Sequence, residues 1–250
     1  MSGKAADSLT RENWMQPIRW IPRETQSLLE VGCNVGEHLN SCAAVYPHIT
    51  LSGVDINPTA VAKARENLPQ ADLHVTSATA LPFSDNSFDC VMCIEVLEHI
   101  PTALRKQALA EVRRVLKRGG LFLLRVPHAG MFAFLDSNNL RFRMPRLYRA
   151  LLREGRRDAG YAGGSADIVW HHHFSRWELA DLLGEGWELV SSRTGGLLLF
   201  PLSGIALWPF YRLQRTDNAM YRFLHRLAAF DIACDYGSAS FDILLVLKRV

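Results

Sequence analysis

The segment "LLEVGCNVGEHL", residues 28–39, decides the fold class of this chain. An apolar run ends with Glu30 and Val31, two glycines follow at Gly32 and Gly36, and the next residues are amphipathic. This pattern predicts a buried strand, a tight turn, and a helix whose free N–H groups face a ligand. A carboxylate at Glu30 disfavours a phosphate and favours a cationic group, such as an ammonium or a sulfonium. We therefore expect a positively charged ligand beside this turn.

Strands and helices alternate along the first half of the chain. Apolar strands separated by helices of about 10–15 residues are typical of parallel βαβ units with helices on both faces of the sheet. With 250 residues, of which 48% are hydrophobic, the chain predicts one α/β domain over residues 27–250, preceded by a polar leader with a short helix at 1–26. The predicted strands are 27–31, 50–54, 72–76, 88–94 and 120–126, and the predicted helices are 36–46, 58–67 and 102–116.

The five cysteines indicate a reducing compartment. Their number is odd, and the N-terminal residues do not form a secretory signal, so we expect free thiols and a cytoplasmic protein. Cys90 and Cys93 form a CxxC pattern, but three residues apart on a strand their side chains face opposite ways. This spacing disfavours a redox or zinc role for the pair.

Polar and small residues follow each predicted strand, where open α/β sheets bind ligands. Asp55 ends the second strand, 23 residues after Gly32, which is close to the spacing at which an acid binds a ribose in dinucleotide folds. The loop "GCNVG" lacks the third glycine that a pyrophosphate requires. Together with Glu30, these residues favour a nucleoside that carries an amino acid over a nucleotide that carries phosphates.

Four stretches extend this pattern: "LLEVGCNVGEHL", "LSGVDINPTAV", "ATALPFSDNSFDCVMCIEVLEHI" and "EVRRVLKRGGLFLLRVPH". In their order and spacing, over about residues 27–128, they resemble the class I S-adenosylmethionine-dependent methyltransferases. The resemblance is to the type 11/23 group, which includes the quinone-pathway enzymes. It implies a seven-stranded Rossmann-like sheet with helices on both faces. The last two strands would be 187–196 and 240–250, with the final strand antiparallel and inserted between its neighbours.

The resemblance also implies which residues bind S-adenosyl-L-methionine. Asp55 would hold the ribose. Ile56 and Ala78 would contact the adenine, and Ser77, where many relatives have an aspartate, would accept a hydrogen bond from the adenine amino group. The full set of implied cofactor residues is Glu30, Gly32, Cys33, Gly36, Asp55, Ile56, Ser77, Ala78 and Glu95.

The stretch "EVLEHI" predicts an acid–histidine group. If it is helical, Glu95, Glu98 and His99 share one face at i, i+3 and i+4, as in a half-site for a divalent metal such as Mg²⁺. This stretch and the later "HHH" resemble two metal-using groups, the ubiquinone-pathway O-methyltransferases and the small-RNA 3′-terminal 2′-O-methyltransferases. Metal-free relatives carry a similar stretch, so His99 as a pocket residue or general base is the alternative that we favour. His172 is the second catalytic candidate.

Two insertions, 129–174 and 195–238, are expected to form a lid over the substrate. Within the first, residues 141–157 hold seven arginines against one acid and leucines at helical spacing, which predicts a basic amphipathic segment. Within the second, residues 197–213 are apolar but too short to span a membrane. The two segments predict a peripheral membrane contact. The alternative is a solvated arginine face and an apolar run that packs into the core.

Three classes of function remain at this point. The first, which we favour, is O-methylation of a small-molecule or lipid-linked acceptor, such as a phenol, a quinone precursor or a glycan, in the cytoplasm or at a membrane surface. The second is RNA 3′-terminal 2′-O-methylation. We do not expect a nucleic-acid partner, because the arginines alternate with aliphatic rather than stacking side chains. The third is a non-catalytic scaffold that binds S-adenosylmethionine.

Overall fold

A computed structural model describes residues 16–136, 139, 143–144, 171–213, 215 and 218–250 of the chain. Over these ranges the fold is a seven-stranded sheet with helices packed on both faces. None of the described helices is both long and apolar enough to cross a membrane. The predicted basic segment at 141–157 lies outside the described residues, apart from residues 143 and 144.

The helices and strands lie close to the predicted positions. The strands are β1 (Ser27–Val31), β2 (Thr50–Asp55), β3 (Asp72–Val75), β4 (Phe88–Ile94), β5 (Leu116–Pro127), β6 (Trp187–Gly195) and β7 (Asp242–Arg249). The helices are α1 (Glu37–Val45), α2 (Pro58–Asn67), α3 (Thr102–Val115), α4 (Arg176–Leu183), α5 (Leu199–Arg212) and α6 (Ala219–Ala233). Short 3₁₀ turns lie at Pro17–Trp20, Leu97–His99, Ala133–Leu135 and Gly237–Ala239.

The strand order is β3-β2-β1-β4-β5-β7-β6. Strands β1 to β5 pair in parallel, whereas β7 runs antiparallel to both β5 and β6 and lies between them. The predicted α/β fold and the insertion of the last strand are thus confirmed. The strand order reverses between β1 and β4, and open α/β sheets bind ligands at such a point, beyond the carboxyl ends of the strands.

Two apolar layers cover the sheet. One layer contains Leu109 and Val112 of α3 and Leu179 of α4, and the other contains residues of α1 and α2. Cys93 lies in the first layer and Cys90 in the second, so the two thiols face opposite sides of β4 as predicted. All five cysteines are free.

The fifth strand begins earlier than the sequence pattern predicts. We expected a helix to residue 116 and a strand from residue 120, but Leu116 already pairs with Phe88 of β4. The register then shifts before Cys90 pairs with Leu121. The chain therefore passes from helix to strand without a loop, because the buried Leu116 packs into the sheet and Gly119, with φ +77°, absorbs the irregularity.

Part of the second insertion forms a hairpin of two helices, α5 and α6. Asp231 near the end of α6 accepts hydrogen bonds from the backbone N–H groups of Leu197 and Phe200, at 2.9 and 2.8 Å. It therefore caps the beginning of α5 from the other helix, where free N–H groups need acceptors. Near the other end of the hairpin, the rings of Phe210 and Tyr221 pack edge to face. These contacts hold the two helices together.

Asp89 fixes the beginning of the first strand against β4. Its Oδ2 accepts hydrogen bonds from the backbone N–H groups of Gln26 and Ser27 and from the Ser27 hydroxyl, and its Oδ1 lies 2.7 Å from Lys117 Nζ. Partial burial alone would raise the pKa of this carboxyl, but the bonds from Lys117, Gln26 and Ser27 outweigh burial and lower the pKa to about 2.

We expect Asp89→Asn to lower the free energy of unfolding by about 1–2 kcal/mol near pH 6, because the charged acceptor is lost. A lowered pKa stabilises the fold above the ordinary value of 3.8, and this stabilisation is lost as the pH falls towards about 2. Urea unfolding of both proteins should therefore show a difference that shrinks from pH 4 to pH 2. Asp181→Asn, which changes an exposed acid on α4, should show little difference at any pH.

Candidate functional site

The loop between β1 and α1 contains three residues in the left-handed region, Gly32, Asn34 and Gly36, with φ values of +78°, +46° and +81°. The backbone N–H groups of Gly32 and Cys33 both donate to the Val54 carbonyl, at 2.8 and 2.9 Å. Gly36 is the N-cap residue of α1. The loop is thus bound to the end of β2, and the beginning of α1 faces the edge of the sheet where ligands bind.

The structure shows why positions 32 and 36 are glycines, which the sequence alone did not reveal. A Cβ atom at Gly32 would overlap the side chain of Val96, and one at Gly36 would come to 3.0 Å from Leu68 Cδ1. Both residues also adopt φ values that favour glycine. The packing of the protein itself, and not only the approach of a ligand, therefore requires glycine at both positions.

Glu30, at the end of β1, is buried beside this loop. Its Oε1 lies 2.7 Å from His38 Nδ1, and its Oε2 has no hydrogen-bond partner among the described residues. Burial raises the pKa of Glu30 despite the neighbouring His38, and the hydrogen bond with Glu30 raises the pKa of His38. The spare oxygen would be favourably paired by a cationic ligand. Sequence analysis missed His38, although its place in the first turn after the loop is a usable signal.

Asp55, at the end of β2, is oriented by two backbone N–H groups. Asn34 N donates to its Oδ2 at 2.9 Å, and Asn57 N donates to its Oδ1 at 2.8 Å. Each oxygen keeps a second lone pair, so the carboxylate can still accept from the two hydroxyls of a ribose. The neighbouring Ile56 is 65% exposed, which leaves its side chain free to pack on a base.

The predicted adenine residues Ser77 and Ala78 follow β3 and are partly buried. Ser77 Oγ lies 2.8 Å from Thr79 Oγ1 and accepts from the backbone N–H of Thr79 at 3.2 Å. The serine hydroxyl is thus already engaged within its own turn. It keeps capacity for one further hydrogen bond to a ligand.

Arg125 of β5 lies at the centre of a buried charged group. Its guanidinium is 2.6 Å from Asp242 Oδ2 on β7 and 3.3 Å from Glu95 Oε1 at the end of β4. Burial alone would lower the pKa of Arg125, but Asp242 and Glu95 raise it. Burial, together with Asp242 and Glu98, raises the pKa of Glu95 well above its ordinary value. Glu95 also has a left-handed φ of +55°, which turns the chain sharply after the strand.

Glu98 differs from the other buried acids because it has no strong partner. It is completely buried, and neither carboxylate oxygen has a hydrogen-bond partner among the described residues. The nearest side-chain nitrogens that can carry a positive charge are His171 Nε2 at 3.6 Å and His99 Nε2 at 3.8 Å from Oε1. Glu98, His99 and His171 each offer a ligand atom, and these atoms all lie within 4.8 Å of one another.

The predicted trio of Glu95, Glu98 and His99 is therefore corrected to Glu98, His99 and His171. The helical spacing does not apply, because the 3₁₀ turn covers only Leu97–His99. Glu95 precedes this turn at the end of the strand, and its side chain pairs with Arg125.

The three consecutive histidines do not form one cluster. Residues 171–173 are not helical, and their side chains point alternately to two sides, as in an extended chain. Asp136 Oδ2 contacts His171 Nδ1 at 2.5 Å and His173 Nε2 at 3.0 Å. His172 Nε2 instead lies 2.7 Å from Glu178 Oε1. The structure thus places the catalytic candidate His172 outside the Glu98 cluster and brings His171 into it.

The His171 ring is held in place from several sides. The Asn139 side chain accepts from His171 N at 2.8 Å and donates to His171 O at 2.7 Å. Burial alone would lower the pKa of His171, but Asp136 and Glu98 raise it to about 9. His171 is therefore a cation near neutral pH, whereas the neighbouring His99 side chain is 60% exposed and faces solvent. Asp136 was missed, because 35 residues separate it from His171, and the "HHH" pattern did not show which of its histidines joins Glu98.

Part of the chain is similar to known methyltransferases. Residues 29–124 match a family model described as a methyltransferase domain. The O-methyltransferase cnsE of Penicillium expansum is 32% identical over 124 residues, 47% of this chain and 43% of that protein. The 24-methylenesterol C-methyltransferase 2 of Arabidopsis thaliana is 33% identical over 128 residues, 48% of this chain and 35% of that protein.

Solved structures extend the likeness to most of the fold. A TehB-like SAM-dependent methyltransferase from Corynebacterium glutamicum has a TM-score of 0.55 at 13% identity, over 94% of this chain and 88% of the other. The alignments with curated relatives span less than half the length of those relatives. Residues 29–124, which hold the glycine loop and Asp55, are thus similar to a methyltransferase domain, and most of the chain shares its fold with a solved methyltransferase.

We expect Arg125→Met to destabilise the fold by about 3–5 kcal/mol, because it leaves the buried Asp242, and the partly exposed Glu95 beside it, without a cation. The double variant Arg125→Met/Asp242→Leu should cost less than the two single variants added together, since it removes both charges. Urea unfolding of the four proteins measures this coupling. Strictly additive losses would show that the two side chains do not depend on each other.

Proposed function

We propose that this protein transfers the methyl group of S-adenosylmethionine to an oxygen of a small-molecule or lipid-linked acceptor. The observation that carries the proposal is the position of loop 95–99. Its Val96 side chain packs on Gly32 of the cofactor loop, and its Glu98 lies beside His99 and His171. One short loop thus joins a site for a cationic nucleoside to an acid–histidine cluster.

The cofactor side fits S-adenosylmethionine through charge and hydrogen bonding. The cofactor supplies an electrophilic methyl group on a positively charged sulfur. Glu30 carries an unpaired buried oxygen close to the glycine loop, where it favours a cationic amino acid or sulfonium group. Asp55 has a fixed orientation and free lone pairs for the ribose. Ile56 offers an exposed apolar surface for the base.

The acceptor side provides a base and a fixed cation. His99 is the exposed member of the cluster and can take a proton from an acceptor hydroxyl. Glu98, at 3.8 Å, stabilises the imidazolium that then forms. His171 is protonated near neutral pH, so it serves as a hydrogen-bond donor that orients the acceptor oxygen. Positioning of this oxygen in line with the methyl group contributes the rest of the rate.

The same three side chains have the chemistry of a site for Mg²⁺ or Mn²⁺. Glu98 supplies a buried carboxylate without a hydrogen-bond partner, and His99 and His171 supply nitrogens within reach of one ion. A divalent ion there would lower the pKa of an acceptor hydroxyl. His171 would first have to lose its proton, because only neutral imidazole binds a metal.

We propose oxygen as the acceptor atom because of the Glu98–His99–His171 cluster, and not because of the reactions named for the relatives. By their names, the fungal relative is an O-methyltransferase and the plant relative a C-methyltransferase, and each aligns with about half of this chain. Similarity to these relatives is therefore compatible with either chemistry. A histidine base beside a carboxylate suits the removal of a hydroxyl proton.

We expect Asp55→Ala to weaken the binding of S-adenosylhomocysteine about 10- to 100-fold, because a charged acceptor of the ribose hydroxyls is lost. Isothermal titration calorimetry measures the affinity, and circular dichroism checks that the variant is folded. Asp72→Asn, which changes a largely exposed acid at the beginning of β3, is the matched control and should bind as the wild type does. Equal affinities for all three proteins would contradict the assignment of Asp55 to the ribose.

The metal is tested by calorimetric titration of Mn²⁺ and Mg²⁺ into protein saturated with S-adenosylhomocysteine. We expect binding by the wild type and a loss of at least about tenfold in Glu98→Gln, which removes the charged ligand. His172→Asn should bind as the wild type does, because His172 pairs with Glu178. If the wild type binds neither ion, transfer would rest on the histidine base alone.

Activity is followed with tritiated S-adenosylmethionine and fractionated acceptors. Label in a lipid or phenol fraction that His99→Asn abolishes would support the proposed reaction. Label in small RNA would instead favour 2′-O-methylation. Tight binding of S-adenosylhomocysteine without label in any fraction would favour a scaffold.

A further inference from the structure

The exposed side of α6 divides into an apolar arc and a basic arc. Met220, Phe223 and Phe230 are 57%, 56% and 67% exposed. Their spacings of three and seven residues place them on one side of the helix. Large hydrophobic side chains grouped on a surface mark an interaction site more often than scattered ones do.

The basic arc lies directly beside the apolar one. Arg222, His225 and Arg226 are exposed and follow Phe223 around the helix. The acid within α6, Asp231, is buried and caps α5, so it does not offset this charge at the surface. Residues 197–233 carry four arginines against two aspartates, a local charge of +2, and one of these acids is the buried Asp231. The hairpin is therefore positively charged.

The other helix of the hairpin adds apolar surface. Leu199 and Ile205 of α5 are exposed, as is Leu213 directly after the helix. The sequence from residue 197 to residue 211 contains no charged residue. An exposed apolar helix beside a basic one is the composition of segments that lie in the interface of a membrane.

We infer that the α5–α6 hairpin docks on an anionic membrane surface. Met220, Phe223 and Phe230 would enter the boundary between headgroups and acyl chains, and Arg226 would bind a lipid phosphate. The helices contain 14 and 15 residues, fewer than the roughly 20 needed to span a bilayer, which fits a helix lying in the interface. Charge complementarity favours anionic lipid over a second copy of this basic surface.

The hairpin is connected to the acid–histidine cluster through aromatic contacts. Phe200 of α5 packs on Phe241, and Phe241 packs on His173. His173 in turn contacts Asp136, which also holds His171. A docked hairpin would thus bring the membrane close to the acceptor side of the site. The conclusion that the acceptor is anchored in lipid rests on the proposed methyl transfer, whereas the docking itself does not.

Vesicle sedimentation without cofactor tests the docking. We expect the full chain to bind vesicles of phosphatidylcholine mixed with phosphatidylglycerol, and to bind pure phosphatidylcholine much more weakly. Phe223→Ser/Phe230→Ser should weaken binding about tenfold or more, because two inserted rings are lost. Arg226→Gln should weaken it about fivefold and reduce its dependence on salt.

Matched controls change equally exposed side chains elsewhere. Trp177→Ser alters an exposed ring on α4, and Arg118→Gln alters an exposed arginine on β5, so both should bind vesicles as the wild type does. Failure of the wild type to bind anionic vesicles, or full binding by the double phenylalanine variant, would overturn the inference. A dimer in sedimentation equilibrium that the same variant dissolves would assign the surface to a second copy instead.

The binding of S-adenosylhomocysteine is measured on the same preparations. Intact binding in a variant that no longer sediments with vesicles shows that the fold and the cofactor site survive. This measurement thus distinguishes a loss of membrane docking from a failure of the proposed methyl transfer.

Discussion

The buried pairing of Arg125 with Asp242 and Glu95 is the interaction on which the candidate site depends. It joins the ends of β4, β5 and β7 at the edge of the sheet where ligands bind. A guanidinium placed there favours the charged forms of two carboxylates whose pKa values burial raises. The pairing also holds β7 in the antiparallel position beside β5 and fixes where loop 95–99 begins.

Arg125 does not pair with Glu98. Arg125 is already occupied by two acids, so the carboxylate of Glu98 has only the two imidazoles of His99 and His171 nearby. A buried acid without a strong partner costs stability. In the proposed reaction this carboxylate would stabilise the protonated His99 or hold a divalent ion.

The two halves of the site are thus built from different parts of the chain. The cofactor half is built from consecutive loops after β1 and β2, and backbone N–H groups orient its acids. The acceptor half is assembled from β4, the segment around Asp136 and the histidines before α4. The helical hairpin packs against the acceptor half through Phe200 and Phe241. Variation in the second half can therefore change the acceptor without changing the cofactor.

The sequence by itself determined the parallel α/β core, because this follows from the local periodicity of strands and helices. The insertion of the last strand and the cofactor residues were implied only by the resemblance, and the cofactor residues remain a prediction. The resemblance also linked "EVLEHI" with the "HHH" stretch, but it could not show that His171 is the histidine that joins Glu98 and His99, since residues 98 and 171 meet only after folding. Nor could it show that Glu95 turns away to Arg125, or that His172 faces Glu178 while its two neighbours face Asp136. Side-chain direction in a non-helical segment depends on its tertiary partners, and only the folded chain supplies them.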